Sequence, residues 1–202
     1  MVTDINGILS KCEAVQNRIG QMLSEKEHAS EYKKNLLAAY TDIALEHHAS
    51  ICLLVNRKLY GSSFALVRPL FEIFYRAHWV CGCATGEQIQ KICNNDNFKF
   101  PKMSDMVKSL DVIYASGDTF FSDIKDNSWS SLCSYTHTGL LSIGRRFTGN
   151  TISPNYRDGE ILEVLNSINV IILLVARLFF LVTNQTSEVE EIEKILVELR
   201  QV

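Results

Sequence analysis

The sequence predicts an all-α protein, a helical bundle of about five to seven main helices with no sheet. Apolar residues recur at spacings of three and four along most of the 202-residue chain, as expected for helices that bury one face. Ten glycines and only three prolines leave few interruptions, which favours long helices. No segment alternates apolar and polar residues for more than a few positions, so the period-two pattern of a strand is missing.

The first part of the chain predicts three long helices and a short one. The first covers about residues 4–23 and the second about residues 27–56. A glycine and two serines at 61–63 predict a turn and the N-cap of a third helix, over about residues 63–81. A short fourth helix is expected over residues 87–93. The apolar face of the first helix is formed by Ile5, Ile8, Leu9, Cys12, Val15, Ile19 and Met22.

The middle of the chain is more interrupted. Residues 94–101 are polar and turn-rich, which predicts a loop, and a helix follows over about residues 104–114. Residues 119–127 have no clear pattern. A largely helical segment is expected over residues 128–147, and a second loop, rich in glycine, asparagine and proline, over residues 148–157.

The most apolar segment is the next helix, which Asp158 is expected to cap and which runs to about residue 183, with Asn184 as its C-cap. Its apolar run is interrupted by Arg177 and falls short of the ~20 residues needed to cross a bilayer. We therefore predict a central bundle helix and no membrane association. Arg177 requires an acidic partner there, and Glu72 is the first expectation. A capping box at 187–190 opens the last helix, to about residue 199.

Composition restricts the class of protein. The length predicts one domain over residues 1–202. A net charge of -3 and a pI near 6.0 exclude wholesale nucleic-acid binding through a basic surface, although a local basic patch remains open. No secretory signal is visible, and the six cysteines form no CxxC pair, which predicts a cytoplasmic protein with free thiols. No phosphate-binding loop or hydrolase motif is present, and we predict no cofactor.

Charged side chains lie on one face of the third helix. Arg68, Glu72 and Arg76 follow at steps of four, so Glu72 can pair with either arginine. Pro69 either kinks this helix at Arg68 or begins it, and a kink would free backbone carbonyls for a buried guanidinium. Two interpretations are open: a buried ion network that fixes the register of the bundle, or a binding site in which arginine forks hold phosphate or another anion.

A polar run over residues 134–139 interrupts the helix expected over residues 128–147. Within it, His137 is the side chain best suited to general acid–base catalysis near neutral pH. Tyr135 is a candidate binding residue, as is Arg145, which lies eight residues after His137 and so is expected near it on one helix face, with Arg146 about 100° away. The alternative is a satisfied core histidine, with Tyr135 at a helix–helix contact.

Histidine and cysteine spacing predicts no metal site. His78, Cys81 and Cys83 offer soft ligands, but no fourth ligand is evident. His47 and His48 point to different helix faces, so we expect one to be buried and the other exposed, with no metal pair between them.

Two segments, A-L-V-R-P-L-F-E at 65–72 and S-Y-T-H-T-G at 134–139, resemble those of a poorly characterised group of bacterial all-helical proteins. The S-P-N-Y at 153–156 fits the same pattern, and the resemblance covers roughly residues 40–180. More loosely, the chain resembles HEPN-type helical domains, and this resemblance implies metal-independent RNA cleavage in toxin and phage-defence systems. Their signature is an arginine followed by four to six residues and a histidine, and no arginine here has a histidine at that spacing.

Two functional hypotheses follow. The first is a helical binding or interaction module, a partner or regulator in a bacterial stress or defence locus, whose polar centre is mainly structural. The second is a HEPN-like ribonuclease in which His137, Arg68 and Glu72 form the catalytic group, with Arg68 or Arg145 holding the phosphate of an RNA. Full burial of His137 without a cleft would exclude the second. A small-molecule pocket between helices ranks below both.

The expected bundle centre is formed by the third helix, the His137 helix and the helix of residues 158–183. A bundle this apolar is also expected to leave a helical face exposed, which predicts a homodimer and leaves room for a protein partner.

Overall fold

A computed structural model describes residues 4–24, 31–114, 116 and 118–200. These residues confirm the all-α prediction, although one two-stranded antiparallel hairpin, with Phe147 opposite Ile152, departs from the expectation of no sheet. The described elements are α1 (Ile5–Ser24), α2 (Tyr32–Asn56), α3 (Tyr60–Gly82), α4 (Gly86–Asn94), α5 (Met103–Tyr114), α6 (Phe120–Thr136), α7 (Leu140–Gly144), β1 (Phe147–Thr148), β2 (Thr151–Ile152), α8 (Asp158–Val182) and α9 (Thr186–Arg200).

Helix α3 begins at Tyr60, three residues before its expected start. The chain turns instead just after α2, where Lys58 adopts a φ of 59°. Gly61 and Ser63 therefore lie within the helix rather than in a turn. The guanidinium of Arg146 lies against Gly61, and the buried Ser63 hydroxyl donates to the carbonyl oxygen of Ile51 on α2 at 3.3 Å. The expected first turn of the second helix, at 27–30, falls outside the described residues.

The prediction of one helix over residues 128–147 is wrong at both ends. Helix α6 begins at Phe120, so the unassigned residues 120–127 are helical, and it ends at Thr136. The short helix α7 and the hairpin replace the rest.

The buried carboxylate of Asp111, on α5, fixes the start of α6. It accepts hydrogen bonds from the backbone N–H of Phe121 at 2.6 Å, from the N–H of Ser122 at 3.2 Å and from the Ser122 hydroxyl at 2.5 Å. The first N–H groups of a helix have no intrahelical partner. Asp111 therefore caps α6 from a neighbouring helix and joins α5 to α6.

The bundle centre consists of α2, α3 and α8, which pack most extensively on one another. Helix α1 and helix α9 pack on α8, and α6 packs on α3. The expectation that the His137 helix belongs to the centre is wrong, because α6 buries only Phe121 and Leu132 fully. That peripheral position leaves the end of α6 open to solvent beside α3.

Helix α8 is long and apolar enough to cross a membrane, but 61% of its most apolar stretch is buried inside the bundle. That burial is typical of the core helix of a soluble protein. Its N-cap is Arg157, so Asp158 is the first helical residue and not the cap. Asn184, at a φ of 58°, follows the C-cap residue Thr183.

Arg177 on α8 pairs with Glu193 of α9, so the prediction that Glu72 is its partner is wrong. Its Nε and Nη2 lie 3.0 and 2.6 Å from one carboxylate oxygen of Glu193. Helix α9 starts at Thr186, which places Ser187 in its first turn rather than at the cap. The acidic helix α9, which packs against α8, thus supplies the carboxylate that pairs with Arg177, whereas the prediction had placed that carboxylate on α3.

Candidate functional site

Arg68, Glu72 and Arg76 form a continuous ion-paired row on α3. Glu72 bridges the two arginines, since its two oxygens lie 3.2 Å from Arg68 Nε and 3.0 Å from Arg76 Nη2. The three side chains are 19%, 23% and 37% exposed, so the row is partly open to solvent. All three residues belong to one helix. Their ion pairs therefore join no two helices and do not fix the register of the bundle.

An aromatic ring supports each of the two guanidinium groups. The guanidinium carbon of Arg68 lies 5.2 Å from the ring centroid of Trp129 on α6, and that of Arg76 lies 4.7 Å from the centroid of Phe100 in the loop before α5. Such contacts orient a cation and add about 0.5–2 kcal/mol of attraction each. The two arginines are eight residues apart, which places them ~12 Å apart along the helix axis.

His137 lies at one end of this row. Its Nε2 contacts Nη1 of Arg68, although the two residues are 69 positions apart in the sequence. A guanidinium has only donors, so in this contact Nε2 is placed as the acceptor. His137 is exposed. The condition that would have excluded a catalytic role, full burial of this histidine, is therefore not met.

Pro69 explains why α6 ends beside Arg68. Proline has no backbone N–H, so the carbonyl of Ala65, four residues earlier in α3, loses its helical partner. The Thr136 hydroxyl lies 3.2 Å from that carbonyl oxygen and 2.9 Å from the carbonyl oxygen of Leu132 in its own helix. The freed carbonyl is thus satisfied by a threonine and not by a guanidinium, and Pro69 lies within α3 rather than at its start. This contact anchors the last turn of α6, and with it His137, on α3.

The polar run at 134–139 terminates one helix and begins the next. Thr138 adopts a φ of 53°, and the Gly139 N–H donates to the carbonyl oxygen of Ser134 at 2.7 Å. The Ser134 hydroxyl then accepts from the N–H of Leu141, in the first turn of α7, at 3.0 Å. A Cβ on Gly139 would lie 3.0 Å from the Ser134 Cα, which leaves no room for a larger residue. The polar groups of this run pair with backbone groups at the end of α6 and the start of α7. The run is therefore not a set of unpaired polar side chains in the middle of a helix.

We define the α3 strip as Arg68, Glu72, Arg76, Phe100, Trp129 and His137. The strip joins α3, the end of α6 and the loop before α5 at one surface. It contains the sequence-predicted residues Arg68, Glu72, Arg76 and His137 and adds Trp129 and Phe100, which sequence spacing could not identify.

Arg145 and Tyr135 lie outside the α3 strip. Because α6 ends at Thr136, the expectation that Arg145 shares a helix face with His137 is wrong. Arg145 is the C-cap residue of α7 and pairs with Glu160 on α8. Hydrogen bonding to Tyr135 raises the pKa of Arg145.

A separate groove of about 330 Å³ is lined by Tyr135, Arg145 and Glu160 together with apolar side chains of α3. No residue of the α3 strip lines this groove. Tyr135 packs against Phe64, with ring centroids 5.0 Å apart, as a helix–helix contact would require. The groove fits the small-molecule alternative better than it fits phosphate chemistry, because its one arginine is already paired.

His78 is a core histidine. Its Nδ1 lies 2.8 Å from the carbonyl oxygen of Phe74, and burial lowers its pKa to about 4. Among the described residues, Cys81 and Cys83 form no ligand cluster with it. His48 is fully buried, as expected for one of the pair, whereas His47 is only partly exposed.

Sequence reasoning missed one cluster of ligand atoms, formed by Cys12, His48 and Cys52. The usable signal was the H-x-x-x-C spacing of His48 and Cys52, which places both side chains on one face of α2. Cys12 comes from another helix, so no local spacing could have linked it to them.

Comparison with known proteins identifies the family of the chain but no characterised relative. No curated protein and no solved structure matches the chain. Residues 41–202 match the model described as "Family of unknown function (DUF6988)", and this match covers most of the chain, including every residue of the α3 strip. The protein therefore belongs to the DUF6988 family of unknown function.

Proposed function

We propose that this protein is a nucleic-acid-binding module whose functional surface is the α3 strip and whose ligand is single-stranded RNA. The observation that carries the proposal is the contact between Arg68 and the exposed His137, two residues far apart in sequence. Several contacts hold this polar surface in place: the Thr136 hydroxyl on the carbonyl that Pro69 leaves free, and the two cation–π contacts of the arginines. Such fixed side chains are typical of a binding site.

The charge of the α3 strip supports an anionic ligand. Glu72 neutralises one of the two arginines, so one positive charge is left over along the row. Lys99 and Lys102 flank Phe100 in the chain and are exposed, which extends the positive character of that end. Because the whole protein is slightly acidic, attraction of a polyanion has to be local to such a strip.

The form of the α3 strip supports a single strand rather than a duplex. Arginines and aromatic rings in alternation are typical of surfaces that bind single strands with little sequence preference. Two guanidinium positions ~12 Å apart along the helix suit contacts to separate phosphates of one extended strand. Arginine forks bind phosphate oxygens in pairs, which a lysine cannot reproduce.

Binding of a fluorescent single-stranded RNA oligonucleotide tests this proposal. We expect the wild-type protein to bind with an affinity that falls as salt rises, and Arg68→Gln to weaken binding about tenfold and flatten the salt dependence by ~0.7 in log–log slope, as the loss of one phosphate contact requires. Arg18→Gln is the matched control, since it removes the same charge from the distant α1–α9 surface. Equal effects of both substitutions, or no binding by the wild type, would contradict the proposal.

Metal-independent RNA cleavage is a second candidate, and the position of the exposed His137 beside Arg68 favours it. In this reaction the RNA 2′-oxygen would attack the adjacent phosphorus and the bond to the 5′-oxygen would break. His137 would accept the 2′-hydroxyl proton, Arg68 would hold a phosphate oxygen and Glu72 would position Arg68. Water would protonate the departing 5′-oxygen. The HEPN-like resemblance, and the toxin or phage-defence role that it implies, belong to this candidate. The role of a partner or regulator in a stress or defence locus belongs to the binding module.

Cleavage of the same oligonucleotide in the presence of EDTA separates the two candidates. We expect a cleaving enzyme to lose activity at least 100-fold in His137→Gln, since general acid–base catalysis contributes ~10²–10⁴-fold. RNA binding by that variant would remain measurable through the arginines. Binding without any cleavage product would leave the binding module as the function and would rule out the nuclease.

A further inference from the structure

Three helices bring two cysteines, a histidine and an asparagine together in the bundle interior, away from the α3 strip. Cys12 comes from α1, His48 and Cys52 from α2, and Asn169 from α8. Both Sγ atoms and a ring nitrogen of His48 lie within 4.8 Å of one another. Cys12, His48 and Asn169 are fully buried, and Cys52 is partly exposed. Cysteine is common in packed cores, but a fully buried histidine and asparagine are unusual there and need partners for their polar atoms.

The hydrogen bonding of this cluster is incomplete. His48 Nε2 lies 2.9 Å from the Oδ1 of Asn169, but Nδ1 is buried and has no hydrogen-bond partner among the described residues. The side-chain nitrogen of Asn169 is in the same state. Buried polar atoms are normally paired, so an unpartnered pair in the core requires an explanation. A metal-bound histidine typically donates its second ring N–H to an oxygen, as His48 can do to Asn169.

We propose that Cys12, His48 and Cys52 form a zinc-binding site. Two thiolates and one imidazole are a common zinc ligand set, and the fourth position is left for a water molecule. The charge of Zn²⁺ balances that of two thiolates, so the occupied site is neutral overall and tolerates burial. Binding displaces the thiol protons into solvent.

A route from solvent to this site exists. Cys52 lines a surface groove of about 400 Å³ between α1 and α2, and the exposed Glu13 lines the same groove. A cation can therefore reach the partly exposed thiol without opening the bundle. The site is independent of the α3 strip, so its presence or absence does not bear on RNA binding.

Anaerobic titration of the reduced, metal-free protein with Co²⁺ tests the proposal, because Co²⁺ reports thiolate ligation by an intense near-ultraviolet charge-transfer band. We expect one equivalent to bind, the band to vanish when Zn²⁺ is added, and Zn²⁺ at about 100 times its dissociation constant to raise the melting temperature by ~5–10 °C. Absence of a stoichiometric band would overturn the proposal.

Two ligand variants and one control make the assignment specific. Cys52→Ser removes the partly exposed ligand and is the variant best tolerated by the fold, and His48→Gln removes the imidazole. Each is expected to weaken Zn²⁺ binding at least tenfold while the metal-free protein still melts cooperatively. Cys93→Ser, at an exposed thiol of α4, is expected to bind as the wild type does. Undiminished binding in Cys52→Ser would show that the metal binds elsewhere and would overturn the site.

Discussion

Replacing Asp111 with alanine is expected to lower the free energy of unfolding by about 2–4 kcal/mol. The buried carboxylate accepts three hydrogen bonds at the start of α6, from Phe121 and Ser122. Alanine would leave two backbone N–H groups and a hydroxyl without their acceptor in a partly buried place. Hydrogen bonds to a charged group contribute ~1.5–3 kcal/mol, and a lost helix cap costs ~0.5–2 kcal/mol.

Urea denaturation followed by circular dichroism measures this change. Asp118→Ala is the matched control, because Asp118 is an exposed aspartate in the same α5–α6 connection, and its loss is expected to change stability by less than ~0.5 kcal/mol. Asp111→Asn retains one acceptor oxygen, so its effect should fall between those of the two alanine variants. Equal stability of Asp111→Ala and the wild type would show that the carboxylate does not hold α6 in place.

Acidification from pH 7 to pH 4 is expected to cost about 3 kcal/mol of stability through His78 alone. Burial, with a smaller contribution from the nearby charge of Arg177, lowers the pKa of His78 from 6.5 to about 4, against the hydrogen bond to Phe74. Between these two values the unfolded chain binds a proton that the folded protein does not. Stability is therefore highest above pH 6.5 and declines as the pH falls towards 4.

Unfolding free energies of wild type and His78→Gln across this pH range isolate the contribution. Glutamine does not titrate and retains a side-chain N–H for the carbonyl of Phe74. We expect the variant to be less stable at pH 7 but to lose about 3 kcal/mol less than the wild type by pH 4. Parallel curves for the two proteins would contradict the assignment of His78 as a buried neutral histidine.

Local sequence information was sufficient for the first helix. The spacing of apolar residues predicted α1 to within one residue at each end, because a helix that buries one face repeats its pattern whatever it packs against. The charged row at Arg68, Glu72 and Arg76 was also predictable, since neighbours at steps of four lie on one face.

The end of α6 was not predictable, because it depends on a tertiary contact. Apolar residues continue on both sides of residues 134–139, so the pattern alone favours one helix. Helix α6 ends where the Thr136 hydroxyl donates to the carbonyl oxygen of Ala65 on α3, which Pro69 leaves without a helical partner. The same limit explains why Arg145 was placed beside His137, and why Trp129 and Phe100 were not foreseen in the α3 strip. The prediction of a homodimer through an exposed helical face is not tested by the structure. Exposed apolar side chains do lie on α7 and the hairpin, at Leu140, Leu141, Ile143, Phe147 and Ile152.

A double-mutant cycle on RNA binding tests most directly the central claim that Arg68 and His137 belong to one RNA-binding surface. Binding of one single-stranded oligonucleotide at fixed salt would be measured for the wild type, Arg68→Gln, His137→Gln and the double variant. If the two side chains share a ligand group, the loss in the double variant differs from the sum of the single losses by at least ~0.5 kcal/mol. Additive losses, or no loss in either single variant, would contradict the account.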